Sequence, residues 1–224
     1  STDVFVRDRQ TDTTERVSVA SDGSETNLKS EDLLSISADG RFVVFGSEAS
    51  NLVSGDTNFS TDVFVRDRQT DTTERVSVAS DGTQGNLDSK IPSISADGRF
   101  IVFLSTASNL VSGDTNGTWD VFMHDRQTGT TEQVSISSSG AQANRNSDRP
   151  FISADGRFVS FGSDASNLIP GDTNNTSDLF VHDRQTGTTE RVSISSSGAQ
   201  ANGQSDYPYI STDGRFITFI TIPT

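Results

Sequence analysis

Ser37-Ala38-Asp39-Gly40-Arg41-Phe42 runs directly into Val43-Val44-Phe45, and the same run returns three times along the chain. Ser-Ala-Asp-Gly-Arg-Phe recurs at 95–100 and 153–158, and Ser-Thr-Asp-Gly-Arg-Phe at 211–216, so Gly40, Gly98, Gly156 and Gly214 stand 58 residues apart. Asp-Gly is a tight-turn dipeptide whose glycine accepts positive φ. Before it lies Ser-Ile-Ser at Ile36 and Ile94, Phe-Ile-Ser at Ile152 and Tyr-Ile-Ser at Ile210, which reads as a first strand. After it, Phe42–Phe45 and its copies Phe100–Phe103, Phe158–Phe161 and Phe216–Phe219 are apolar at nearly every position, as expected of a strand covered on both faces.

A second marker, Asp-Val-Phe-Val-Arg-Asp-Arg-Gln-Thr, starts at Asp3 and Asp62 and returns in altered form from Asp120 and Asp178. Its core, Val63-Phe64-Val65, predicts a third strand. A Gln-Thr-Asp/Gly-Thr-Thr turn follows, and Glu74–Val78 alternates polar and apolar as a half-wet fourth strand does. No helical period occurs anywhere. The fold class is therefore all-β, with four antiparallel strands in each ~58-residue unit, and four such units repeated radially form a four-bladed β-propeller. The chain starts inside strands three and four of one blade and stops after strands one and two of another. The expectation is that the C-terminal strands pair with the N-terminal ones and close the ring. Residues 1–224 are then a single domain, with blade pieces 1–23 plus 207–224, 24–82, 83–140 and 141–206.

Composition narrows the function. Seventeen Lys+Arg against 31 Asp+Glu give a formal charge of −14, which opposes nucleic-acid binding, since phosphate contacts need clustered positive charge. No apolar run approaches the ~18 residues of a membrane-spanning helix, so no membrane insertion is expected. Cysteine is absent, which removes disulfides, thiolate metal sites and cysteine nucleophiles. The two histidines, His124 and His182, fill the slot of Arg7 and Arg66 and read as a solvated strand face. No Gly-x-Ser-x-Gly elbow is present. Asp39, Asp97, Asp155 and Asp213, with their Arg neighbours, repeat fourfold, as turns and blade-to-blade bonds do and a catalytic centre does not. The chain is read as not an enzyme.

Between strands two and three each unit carries an acidic loop. Three copies share Asp-x-Asn-x-Ser/Thr-x-Asp: Asp56, Asn58, Ser60 and Asp62; Asp114, Asn116, Thr118 and Asp120; Asp172, Asn174, Thr176 and Asp178. Oxygen side chains at alternate positions of a curling loop can converge on a hard cation, so up to three Ca²⁺ sites are expected. The competing reading is that the Asp and Asn side chains shape the loop by side-chain-to-backbone turns.

Taken together, Ser-x-Asp-Gly-Arg-Phe, the apolar strand and Asp-Val-Phe-Val-x-Asp-x-x-Thr-Gly resemble the TolB-like (WD40-like) propeller repeat of bacteria over the whole chain. Ala38, Ala96, Ala154 and Thr212 stand where that repeat usually has Pro, and these units are longer. The resemblance implies a non-catalytic recognition scaffold, and family members often have six or more blades. The acidic loops are similar to the Asp-x-Asn-Gly-x-x-Asp core of FG-GAP-type calcium loops.

A ligand face is sought where the copies differ. Asn202–Tyr209 holds both tyrosines, Tyr207 and Tyr209, and its counterpart Asn144–Phe151 holds Arg145 and Arg149. Trp119, the only tryptophan, stands opposite Thr2, Thr61 and Ser177. Aromatic and Arg side chains favour recognition. The resulting expectation is an exported bacterial recognition or assembly module, secreted, periplasmic or at the cell surface. Its partner would be a protein or glycan, and a monomer is expected over an oligomer. The alternatives are a self-associating subunit of a larger ring or filament and a carbohydrate-binding or carbohydrate-active propeller.

Overall fold

A computed structural model describes residues 2–222. Every regular element in it is a strand. A hairpin of β1 (Phe5–Asp8) and β2 (Thr13–Arg16) comes first. Three four-stranded antiparallel sheets follow: β3 (Ser30–Ile36), β4 (Phe42–Ser47), β5 (Asp62–Asp67) and β6 (Thr72–Arg75); β7 (Ser89–Ile94), β8 (Phe100–Ser105), β9 (Asp120–Asp125) and β10 (Thr130–Gln133); β11 (Ser147–Ile152), β12 (Phe158–Ser163), β13 (Asp178–Asp183) and β14 (Thr188–Arg191). The last hairpin is β15 (Ser205–Ile210) with β16 (Ile217–Thr221).

The uninterrupted apolar character of strand two has a direct cause. Alternate side chains leave a strand on opposite faces, and each blade lies between two neighbours. Val43 and Phe45 pack toward the preceding hairpin with Val4, Val17 and Phe64, whereas Val44 packs toward the next blade with Ile94, Ile101 and Phe103. The cores therefore lie between blades. The long loops enter them too: Ala49 and Leu52, Ala107 and Leu110, and Ala165 and Leu168 are buried at successive junctions. Reciprocal amide bonds pin each loop, as where Asn27 N donates to Asn51 Oδ1 (3.0 Å) and Ser50 N donates to Asn27 Oδ1 (3.1 Å). The same bonds recur at Asn86 with Asn109 and at Asn144 with Asn167.

Blade-to-blade bonds are as regular as the repeat. Ala38 N donates to Ala96 O (3.0 Å), Ala96 N to Ala154 O (3.0 Å) and Ala154 N to Thr212 O (3.1 Å). Arg126 reaches back to Glu74 of the preceding blade and lies over the Phe42 ring, and Arg184 does the same to Glu132 and Phe100. Within each blade Arg41, Arg99 and Arg157 grip Asp67, Asp125 and Asp183 with two hydrogen bonds (2.6–2.9 Å), clamping strand two to strand three. Those guanidinium bonds hold the three carboxyls far below the usual carboxylate range.

Two sequence expectations are corrected. The terminal hairpins do not join: β1–β2 and β15–β16 are separate two-stranded sheets, so the four-blade ring closed within one chain is not formed. His124 and His182 are also not on a solvated face. They are 7% and 6% exposed, and each Nδ1 pairs with a threonine hydroxyl (Thr131, 2.9 Å; Thr189, 2.8 Å). The outermost strand and its flanking loop cover a slot that alternation alone assigns to water. β15 begins at Ser205, two residues ahead of the expected boundary at 207.

Candidate functional site

Strand one of successive blades packs side by side, and it is here that the backbone departs from regular geometry. Each of β7, β11 and β15 breaks register between its second and fifth residues: Lys90/Ser93, Asp148/Phe151 and Asp206/Tyr209. The first strand of the first complete blade, β3, also breaks register, between Ser30 and Leu34, without a proline; in β7, β11 and β15 an X-Pro pair lies within the break, and its proline has no N–H to give the ladder. Ile91, Arg149 and Tyr207 precede these prolines with φ of 53°, 46° and 58°. Side chains other than glycine, and β-branched isoleucine above all, avoid that region. Such strain persists only where the surroundings hold it, and it gathers at binding sites.

The bulges open beside a cavity of about 340 Å³ between the second, third and last blades. Lys90, Ile91, Trp119, Asp148, Asp164 and Asp206 contribute to its wall. Trp119 immediately precedes β9 and is fixed by its backbone: its N–H donates to Asn146 Oδ1 (3.1 Å) and its carbonyl accepts from Ser147 N (2.7 Å). Lys90 Nζ lies 4.1 Å from the centroid of the Trp119 ring. At the rim Arg149 pairs with Asp206 and its guanidinium sits 4.1 Å from the Tyr207 centroid. Burial pushes the Asp148 carboxyl above its usual range, with Asp206 and Asp164 adding to the rise against the opposing charge of Arg149.

Of the residues singled out by variation among the repeats, Trp119, Arg149 and Tyr207 are brought to this place. Tyr209 stacks on Phe151 (4.4 Å between centroids) on the neighbouring strand, and Arg145 is exposed in the turn before β11. Sequence reasoning missed Lys90, Asp148 and Asp206. The signal was available, because they share one column of the repeat, next to the column of Ile91, Arg149 and Tyr207.

In each acidic loop the first and last carboxylates share protein donors, while the Asn oxygen between them accepts from the backbone two residues on. Gln84 Nε2 donates to both Asp56 and Asp62 (2.9 Å each), and Arg75 Nη1 lies 3.6 and 3.5 Å from the same two carboxylates. Asn58 turns its amide N–H₂ toward Asp62 (3.3 Å) and Gly85 O (2.9 Å), while its Oδ1 accepts from Ser60 N (3.1 Å). In the third loop Gln200 and Arg191 play the parts of Gln84 and Arg75 toward Asp172 and Asp178, and Asn174 those of Asn58, its Oδ1 accepting from Thr176 N. The middle loop differs. Asp114 and Asp120 accept from Gln142, and Asn116 donates to Asp120 (2.7 Å), but position 133 is Gln rather than Arg. Burial raises the carboxyls of Asp62 and Asp120. The hydroxyls of Thr118 and Thr176 are buried without a hydrogen-bond partner. Among the described residues no three His, Cys, Asp or Glu side chains gather as a metal cluster. An arginine between the carboxylates does not fit a calcium ion in the first and third loops, and the middle loop lacks that arginine.

No protein-family model matches the chain, and no curated protein does either. Solved structures do. The putative TolB from Agrobacterium tumefaciens is similar with a TM-score of 0.59 at 14% identity, over 95% of this chain and 60% of that one. TolB from Acinetobacter baumannii gives 0.55 at 16%, over 99% and 43%. Oligogalacturonate lyase from Vibrio parahaemolyticus gives 0.53 at 12%, over 100% and 54%. This chain thus spans about half the length of these structures, and the likeness is one of fold.

Proposed function

We propose that the chain is a non-catalytic recognition module, working outside the cytoplasm, that takes a basic segment of a polypeptide partner into the cavity beside Trp119. The observation that carries this is the trio of strained bulges. At one backbone position, in units otherwise nearly identical, three different side chains (Ile91, Arg149, Tyr207) are held at positive φ on one face. The wall charges set the ligand class. Asp148, Asp164 and Asp206 outnumber Lys90 and Arg149, the latter paired with Asp206; the Asp148 carboxyl is raised, and an incoming Lys or Arg would relieve that crowding. The carboxylates of the repeat motif outside this place are engaged in strand clamps and turns.

Trp119, the only tryptophan, reports directly on the site. Lys/Arg-rich peptides should shift its emission saturably, and more weakly at high salt, while acidic peptides of equal length should not. Trp119→Phe should abolish the signal and Asp148→Asn should weaken binding. A response to oligosaccharides alone, or to no peptide at millimolar concentration, overturns the reading.

A calcium role is favoured at one loop, on the substitution of Gln133 for Arg. Asp114, Asp120 and the unpartnered Thr118 hydroxyl would hold the ion, which would supply the charge that Arg75 and Arg191 supply elsewhere. Calcium should raise the unfolding midpoint, and Gln133→Arg should remove that rise. An unchanged midpoint in excess calcium excludes it.

A further inference from the structure

Trp119 already carries a cation on its ring, and the chain itself supplies it. The second residue of strand one is Glu31 in β3, Asp148 in β11 and Asp206 in β15, but Lys90 in β7. The residue before strand three is Trp119 where the other units have Thr2, Thr61 and Ser177. Two departures from the repeat thus meet, with Lys90 Nζ 4.1 Å from the ring centroid. Asp148 is close by, because Trp119 O accepts from the N–H of the preceding residue, Ser147 (2.7 Å). All three residues belong to complete blades.

The Lys90 contact differs from its counterparts. In the complete blades every other cation over a ring, among the described residues, is a guanidinium that also holds a carboxylate. Arg126 lies over Phe42 and pairs with Glu74, Arg184 over Phe100 with Glu132, and Arg149 over Tyr207 with Asp206. Lys90 holds no carboxylate: among the described residues it is in no ion pair. Asp148 accepts no hydrogen bond among them, and it faces Arg149 Nη1 at 3.7 Å, a guanidinium already paired with Asp206. An ammonium is a compact, strongly hydrated charge, whereas a guanidinium stacks flat on a ring and meets a carboxylate through two N–H groups. Trp119 and Asp148 together therefore suit a guanidinium better than the ammonium now on the ring.

We propose that the cavity selects arginine: a guanidinium from the partner displaces Lys90 from the Trp119 face and pairs with Asp148, and Lys90 is the tethered competitor it must overcome. This rests on the reading of the cavity as a site for a basic segment. An incoming lysine exchanges one ammonium for another on the ring and gains little there. An incoming arginine gains both the stack and the paired N–H bonds, while the flexible stem of Lys90 lets its head swing out to water.

Calorimetry with two peptides that differ only in carrying arginine or lysine tests this, on the native chain and on two Lys90 variants. The native chain should bind the arginine peptide about tenfold more tightly. Lys90→Met, which frees the ring, should tighten binding of the arginine peptide about threefold to tenfold. Lys90→Arg keeps the charge but sets a guanidinium on the ring and within the chain's own reach of Asp148, so it should weaken binding of the arginine peptide about tenfold; a charge acting only at a distance would leave that affinity unchanged. Equal affinity for the two peptides, no gain in Lys90→Met, or unchanged affinity in Lys90→Arg each overturns this inference and leaves the basic-segment reading standing. Binding of neither peptide to any of the three proteins overturns both.

Discussion

Phe64 and Phe5 occupy the same place in the same motif, yet one is fully buried and the other 54% exposed. The complete blade sets strands one and two beside its third strand, and the half-blade has neither. A blade of this repeat thus owes its burial to neighbours more than to itself, as expected of units stabilised by nearest-neighbour interfaces.

The sharpest break of that comparison is a matched truncation. Phe122→Ala, in the middle of a fully buried ring pair, should destabilise by about 3–5 kcal/mol in denaturant unfolding. Phe5→Ala on the monomer should stay within about 1 kcal/mol. Next come two glycines of the repeated turn. Gly98 has φ +74° and a Cβ there would fall inside the Phe42 ring, whereas Gly40 has φ +72° with the Arg68 tip 3.5 Å away. Both alanine variants bear the left-handed conformation, about 1 kcal/mol, but Gly98→Ala must also displace a packed ring, for about 2–4 kcal/mol in all. A Gly40→Ala cost as large as that would mean Gly40 is already covered.

Acid separates the arginine clamps. Asp67, Asp125 and Asp183 have folded pKa values below their unfolded value near 3.8, so their stabilisation is present above pH 3.8 and is lost as pH falls below it. Arg99→Ala should move the acid-unfolding midpoint upward, and Arg215→Ala, which has no carboxylate to hold in the monomer, should not. The smallest effect belongs to the buried histidines. Burial lowers His124 and His182 below 6.5, so the unfolded chain binds protons first and stability declines as pH drops through 6.5. Replacing both with Gln should flatten that slope in a pH series of melting curves.

The strands were legible because the period is strict: the Asp-Gly turns, the apolar second strand and the third-strand marker all fall where spacing puts them. Ring closure was not, because pairing between the first and last hairpins is a long-range matter that no single unit encodes. Trp119, Arg149 and Tyr207 were visible as differences against a constant background. The cavity was not, since it depends on a register break at the prolines that brings Lys90, Asp148 and Asp206 together. The acidic loops were legible as loops, but Arg75 and Arg191 lie on strand four, and only the fold shows them reaching the loop carboxylates.

Trp119 emission titrated with a Lys/Arg-rich peptide tests the central claim most directly. The account predicts a saturable shift that weakens at high salt and with Asp148→Asn, and no shift with an acidic peptide of equal length. No shift with any peptide at millimolar concentration, or a shift with oligosaccharides alone, would contradict it.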